Sequence, residues 1–345
     1  MSGRLPLSLG SLARWEALLV VVLVILVWLG NRLSPVFLSA QNLSNLTVAE
    51  MEIAIIAVPM TLIIIAGEID LSVESMVGLS GAVLGLLWAD GVALWVGIPL
   101  VLIMGGLGGL LNGILVMRAG LPSLVVTLGT LALFRGLASV VLGPRAISNF
   151  PAEFSAFGFG SVPGTSLPWP FIVFVLLAAA VGLMLHRTWV GRQLFAVGKN
   201  QGAARYSGVP VVGLKTGLFI ASGVISALAG VILTSRLSSA RSDAGTGMTL
   251  AIVTAVLLGG VNIFGGSGTI PGVVLAVFTL AVLQNALRLA DVSTELQSIS
   301  VGLLLIVSVV VPNLARQLAQ LLQGPRAERN PTRGAPERVP PYTPA

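Results

Sequence analysis

The chain has 345 residues, 55% of them hydrophobic and only 9% charged, with a formal net charge of +6. Soluble globular proteins carry roughly 25% charged residues, so this composition lacks the polar surface of a water-soluble domain. With no cysteine and one histidine, His186, disulfides, zinc–thiolate centres, cysteine nucleophiles and multi-histidine metal sites are excluded.

The apolar residues come in runs long enough for about 30 Å of hydrocarbon, which takes roughly 20 residues of helix. In chain order they predict about ten transmembrane helices, near 15–31, 46–66, 74–89, 92–117, 121–142, 169–186, 213–234, 248–262, 269–288 and 296–314. The expected fold is an all-α integral membrane protein with two loosely repeated halves. Its parts are a cytoplasmic N-terminus at 1–14, a transmembrane domain at 15–316 and a disordered cytoplasmic tail at 317–345. The first run follows Arg4 and Arg14. Its nearest cleavage-like site, Leu38-Ser39-Ala40, has leucine where a small residue is needed, so it reads as an uncleaved helix. The third and eighth runs are short and need not cross fully.

Between the second and third runs lies a polar stretch, Gly67-Glu-Ile-Asp-Leu-Ser-Val-Glu74. A weak echo follows the eighth, Gly259-Gly-Val-Asn-Ile-Phe-Gly-Gly-Ser267; superposed at an offset of 192, Asp70 falls on Asn262 and Ser75 on Ser267. Glycine-broken interruptions at matching places in two halves point to a solute path. Irregular backbone at membrane depth is tolerated only where protein or water satisfies it. Asp70, Asn262, Gly265 and Gly266 are therefore expected at a path or gate, the two segments close together at its inner mouth. The plainer alternative is two tight turns between helices.

The fourth run places Gly105, Gly109 and Gly113 on one helix face, where another backbone can approach closely, within the chain or at a dimer seam. In the fifth, Arg135 lies about 14 residues, or about 21 Å, into the span. A charge there costs at least about 2.5 kcal/mol unless paired or wetted. Arg135 thus either lines a solute path or snorkels to the outer interface. Gly143 to Pro168, with Phe150, Phe154 and Phe157, reads as an outer loop with an interfacial helix.

Arg187 to Lys215 is the longest inner loop. Gln201 to Tyr206 suit a short helix, with Asn200 as N-cap and Gly208 near the C-cap. Such a helix, held between two spans, would dock a cytoplasmic partner; otherwise the basic loop only fixes topology. Gly208-Val-Pro-Val-Val-Gly213-Leu-Lys215-Thr216 fails as a phosphate loop, because Leu214 separates glycine from lysine and Pro210 removes a donor. The chain is not expected to hydrolyse ATP, and no catalytic constellation stands out. Beyond Gly324 the Pro- and Arg-rich sequence reads as disordered.

Charge orients the chain. With the N-terminus inside, 13 of the 19 Lys and Arg fall on the cytoplasmic side, Arg118, Arg187, Arg192, Lys199, Arg205 and Lys215 among them. Five, Arg32, Arg145, Arg236, Arg241 and Arg288, fall outside. Both termini are then cytoplasmic by the positive-inside rule. The basic residues are not interleaved with stacking aromatics, so no nucleic acid is expected.

Five stretches, in order, carry a likeness. They are Gly67-Glu-Ile-Asp-Leu-Ser-Val, Gly120-Leu-Pro-Ser-Leu-Val-Val-Thr-Leu-Gly-Thr130, Phe134-Arg-Gly136, Ala196-Val-Gly-Lys-Asn200 through Ala203-Ala-Arg-Tyr-Ser-Gly208, and Leu258-Gly-Gly-Val-Asn-Ile-Phe-Gly-Gly-Ser-Gly-Thr269. From about residue 17 to 315 the chain resembles the permease subunits of bacterial ATP-binding-cassette sugar importers, the ribose, xylose, arabinose, rhamnose and autoinducer-furanose group. The resemblance implies an inner-membrane subunit without cofactors that works with ATPase subunits, a second permease (identical or paralogous) and an extracytoplasmic sugar-binding protein. Carried over, Asn200, Ala203, Ala204, Arg205, Ser207 and Gly208 form the surface that meets the ATPase. The chain departs from the family pattern where Met248-Thr-Leu-Ala251 replaces two acids, and where Glu74 and Lys199 replace glycines. Val309-Val-Val-Pro-Asn-Leu-Ala-Arg316 leans toward the rhamnose type. The alternative is a self-sufficient secondary transporter of a small polar solute, which needs a coupling carboxylate near the midplane; no acid falls in the middle of a run.

Overall fold

The structure is a computed structural model that describes residues 9–165 and 167–322, with side chains for 15–165 and 167–310. Its helices are α1 (Leu9–Leu33), α2 (Ala40–Ala49), α3 (Met51–Ile65), α4 (Val73–Ala89), α5 (Leu94–Met117), α6 (Ser123–Leu142), α7 (Ala152–Phe159), α8 (Trp169–Arg187), α9 (Trp189–Lys199), α10 (Gln201–Tyr206), α11 (Val211–Leu237), α12 (Met248–Leu258), α13 (Ile270–Leu289) and α14 (Thr294–Leu322). Among the described residues the only β-type pairings are the isolated bridges Ile147 with Ala240 and Ser161 with Pro168. The chain divides into two units, Met1–Val309 and Val310–Ala345; the sites below belong to the first.

Every apolar run is helical. Six helices are long and apolar enough to cross a membrane, namely α1 from Trp15, α5, α6, α8, α11 and α13, and the bent pair α2–α3 makes a seventh if it is one span. The helices α4, α12 and Thr294–Val310 are apolar but shorter. Several boundaries differ from the sequence reading: α1 begins at Leu9 rather than 15, α12 ends at Leu258 rather than 262, and two more have a visible cause. The run expected from residue 46 starts at Ala40, after Ser39 accepts the Asn42 N–H at 3.2 Å, and bends by 44° between α2 and α3. The tail expected from 317 is still helical through Leu322, because Gln317-Leu-Ala-Gln-Leu-Leu are good helix formers. The Pro- and Arg-rich stretch beyond Gly324, like residues 1–8, lies outside the described residues.

The core is built on α3. From Ala54 to Ile65 it is buried on every side, the mark of a helix apolar all round and enclosed by others. The 27-residue α11 packs along α5 through small residues. A Cβ on Gly105 would come within 2.5 Å of Gly223 O, on Gly109 within 2.1 Å of Phe219 O, and on Gly113 within 2.9 Å of Thr216 Cγ2. All three glycines thus face α11 of the same chain, and the close approach is intramolecular.

Charges collect at two ends of the unit. At one, Glu52 pairs with Arg236 at 2.8 Å and Glu50 with Arg288 at 3.5 Å, beside the α2–α3 bend. There α7 lies against the end of α11, where Ser235 Oγ donates to Phe154 O. The stretch Gly143–Pro168 therefore does hold a short helix. At the other end Lys215 pairs with Glu68 at 2.6 Å. The Arg187–Lys215 loop holds more helix than its sequence suggested. Before α10 comes α9, amphipathic, with Gly191, Leu194 and Val197 buried and Arg192 and Lys199 exposed.

Candidate functional site

The two glycine-broken segments touch. Helix α3 stops at Gly67, whose φ of 81° suits glycine and turns the chain out of the helix. The second break runs from Gly259 to Thr269, and α13 restarts where Thr269 Oγ1 accepts the Gly272 N–H at 3.1 Å. The Gly266 N–H donates to Ile65 O at 2.8 Å, joining the breaks. The end of α9 is wedged against both, since a Cβ on Gly198 would lie 1.8 Å from Ile65 O and 2.5 Å from Gly266 N. The start of α1 holds the second break as well: Trp15 Nε1 donates to Leu258 O at 2.8 Å, and Glu16 Oε1 accepts from Thr269 Oγ1 at 2.7 Å.

Contact between the breaks runs through backbone at Ile65 and Gly266, not through Asp70 and Asn262. Asn262 closes its own turn, its N–H donating to Ser267 O at 3.0 Å and its Oδ1 accepting the Phe264 N–H at 3.1 Å. Asp70 is 1% exposed. Its Oδ1 accepts from Ser72 N–H at 3.0 Å and Ser72 Oγ at 2.6 Å, and its Oδ2 from Ser222 Oγ at 2.8 Å. Ser72 Oγ in turn accepts from Asn112 Nδ2 at 2.9 Å, and Asn112 Oδ1 from Thr130 Oγ1 at 2.8 Å. A buried carboxylate needs such partners. Here they tie the break to α5, α6 and α11.

Helix α10 is capped at both ends. Asn200 Oδ1 accepts the Ala203 N–H at 2.9 Å. Gly208, at φ 83°, donates its N–H to Arg205 O at 3.1 Å, and Val209 donates to Ala204 O at 3.1 Å. Ala203, Arg205, Ser207 and Gly208 are exposed, while Ala204 packs inward with Val197 and Val211. Lys215, 2% exposed, donates at 2.6 Å to Glu68 Oε1 and at 2.6 Å to Gln201 Oε1.

Arg135 is paired. Its Nη2 lies 3.3 Å from Glu74 Oε1, and its Nη1 donates to Thr246 Oγ1. Glu74 Oε2 accepts the N–H groups of Gly247 at 3.1 Å and Thr249 at 3.0 Å, in the first turn of α12. These amides have no partner within their own helix, and an acid there also opposes the positive end of the helix dipole. Glu74 and Lys215 were missed as site residues from sequence. A signal existed for the first: the resemblance implies a glycine at position 74 and two acids at 248–251, and these two departures meet in one place. On the exposed connection before α12, hydrogen bonds from Arg241 at 2.9 and 2.8 Å hold the Asp243 carboxyl below the usual carboxylate range.

Residues 42–309 match a family model described as branched-chain amino acid transport system / permease component. The chain is 36% identical over 310 residues to the autoinducer 2 import system permease protein LsrD of Photorhabdus laumondii, covering 88% of this chain and 92% of that one. It is 38% identical over 302 residues to the protein of that name from Yersinia pseudotuberculosis, covering 86% and 90%. With the Yersinia enterocolitica protein it shares 38% over 302 residues, covering 86% and 91%. No solved structure matches.

Proposed function

This chain belongs to the family of branched-chain amino acid transport system permease components, as a permease of the ATP-binding-cassette importer type, and from that premise we propose that it forms the translocation path of an ATP-driven importer for a small sugar-like solute. The family description names branched-chain amino acids, whereas the relatives' names give autoinducer 2. The second rests on identity over about nine tenths of both chains, so autoinducer 2, or a monosaccharide of similar form, is the proposed cargo. The rhamnose lean gains no support from these relatives. The subunit works in the inner membrane with cytoplasmic ATPase subunits, a second permease and an extracytoplasmic sugar-binding protein. Helices α4, α12 and the first part of α14 complete ten crossings, with both termini inside. Asn262, Gly265 and Gly266 sit at the inner gate, and Arg135 with Glu74 sits along the path.

One observation carries this reading. The capped helix α10 stands exposed on the chain, immediately after the α9 end that contacts both breaks. A partner bound at Asn200 to Gly208 has both breaks within one helical turn of its footing. The test is co-purification of the cognate ATPase with Ala203→Asp and Gly208→Pro variants. The first puts a charge into the docking face; the second imposes a φ of about −65° where the chain needs 83°. Both should lose the ATPase and the uptake of labelled autoinducer 2 while remaining in the membrane. Normal recovery of the ATPase with both variants would overturn the docking assignment. Uptake driven by an ion gradient without the ATPase would favour the secondary transporter.

A further inference from the structure

Resting on the docking reading above, we propose that Lys215 is a positioning residue that carries the movement of α10 to the Gly67–Ser72 break, through a polar strut from Gln201 to Lys215 to Glu68.

The strut joins three elements at one charge. Lys215 lies near the start of α11 and is nearly fully buried, with only 2% exposed. A buried ammonium is unfavourable unless paired and hydrogen-bonded, so its two acceptors fix its place. One is Glu68 Oε1 at 2.6 Å, on the break 147 residues away. The other is Gln201 Oε1 at 2.6 Å, on the first residue of α10. The break is also held further along α11, where Ser222 Oγ donates to Asp70 Oδ2 at 2.8 Å. Lys215 and Ser222 are seven residues apart, two turns along one face of a helix of 3.6 residues per turn. That face of α11 therefore grips the break at two points, and only the first point also grips α10.

Backbone contact at Gly198 supplies a second link between α9 and the breaks, but it acts through van der Waals exclusion and transmits a push alone. A strut of two short polar contacts, one of them ionic, resists separation as well. It lets the break follow α10 in both directions of a cycle. A static ion pair that merely stabilises the inner end of α11 would leave the ratio of import to ATP hydrolysis untouched, and this separates the two roles.

The experiment uses the whole complex in liposomes, with labelled autoinducer 2 and its binding protein, and reads ATP hydrolysis and import together. Lys215→Met and Glu68→Ala each cut the strut, and Lys215→Arg keeps the charge. The ATPase should stay bound and ATP hydrolysis should persist in all three. Import per ATP hydrolysed should fall on the order of tenfold, within the usual range for coupling between sites, in Lys215→Met and Glu68→Ala, and should return largely in Lys215→Arg. Glu68 is partly exposed, so Glu68→Ala decides the matter if Lys215→Met fails to fold. An unchanged import-to-ATP ratio in Glu68→Ala, with the complex intact, overturns the strut. Failure of the wild-type chain to bind an ATPase at all overturns the docking reading instead, and the strut with it.

Discussion

Gly198→Ala probes the junction where α9 meets both breaks. The added methyl would lie 1.8 Å from Ile65 O and 2.5 Å from Gly266 N, and both are backbone atoms that no side-chain rotation can clear. An ordinary contact needs well over 3 Å, so the three segments must part by more than 1 Å. Overpacking of this kind costs about 1–3 kcal/mol. The Gly266-to-Ile65 hydrogen bond at 2.8 Å sits in the same gap, and its loss adds about 0.5–1.5 kcal/mol. Alanine regains up to about 1 kcal/mol of helix propensity. The expected net is a destabilisation of about 1–3 kcal/mol, concentrated at the junction. Gly202→Ala is the control, because its nearest neighbour would be Asn200 Oδ1 at an unstrained 3.4 Å. Thermal unfolding of the detergent-solubilised protein should come at lower temperature for Gly198→Ala and hold for Gly202→Ala, and uptake by the complex should fall for Gly198→Ala. If the Gly198 variant keeps wild-type stability and uptake, the close seating of α9 on the two breaks is refuted.

Two further outcomes follow from charge and motif. A reporter active only in the periplasm should be silent when fused after Arg316 and active when inserted near Gly164, as the 13-to-5 distribution of basic residues requires; the reverse pattern would invert the topology. The purified chain alone should neither hydrolyse ATP nor take up sugar on a proton or sodium gradient, since Leu214 and Pro210 spoil the phosphate loop; robust gradient-driven flux would move the reading to a secondary transporter.

The local features were readable from sequence, and the distant ones were not. Apolar runs report helices because each helix satisfies its own backbone. The caps of α10 were readable because Asn200 and Gly208 act within a few residues of themselves. The amphipathic α9 left a signal in Gly191, Leu194 and Val197 at steps of three, but Arg187, Arg192 and Lys199 made the segment resemble a basic topogenic loop. The α2–α3 bend at Glu50 has no breaker residue; it falls where Glu50 and Glu52 meet Arg288 and Arg236. Three of the ion pairs join residues 147, 61 and 184 positions apart, Lys215–Glu68 and Arg135–Glu74 at the site and Arg236–Glu52 at the other end of the unit. No periodicity encodes such pairs. Asp70 shows the same limit: nothing in its own segment foretells the hydrogen bond from Ser222, 152 residues away.

Glu74 connects the chain's departures from its family pattern to its mechanism. Helix α12 has 11 residues, and like any helix it begins with backbone N–H groups that have no partner within it. Something must accept them, and the Glu74 carboxylate does so at Gly247 and Thr249 while pairing with Arg135. The acids lost at 248–251 are thus matched in space by one gained on α4. Glu74→Gly strips Arg135 of its partner and leaves two amides unsatisfied. Arg135 keeps 24% side-chain exposure, so the cost falls at or below about 3 kcal/mol, the bottom of the range for breaking a fully buried pair. A second change, Thr249→Glu, returns a carboxylate to the same spot from the α12 side, at a position where the helix dipole favours it. Glu74→Gly should therefore lower thermal stability and uptake together, and the Glu74→Gly/Thr249→Glu double variant should recover most of both. A double variant no better than Glu74→Gly alone would mean that the acid is needed on α4 itself, and that the two departures are unrelated.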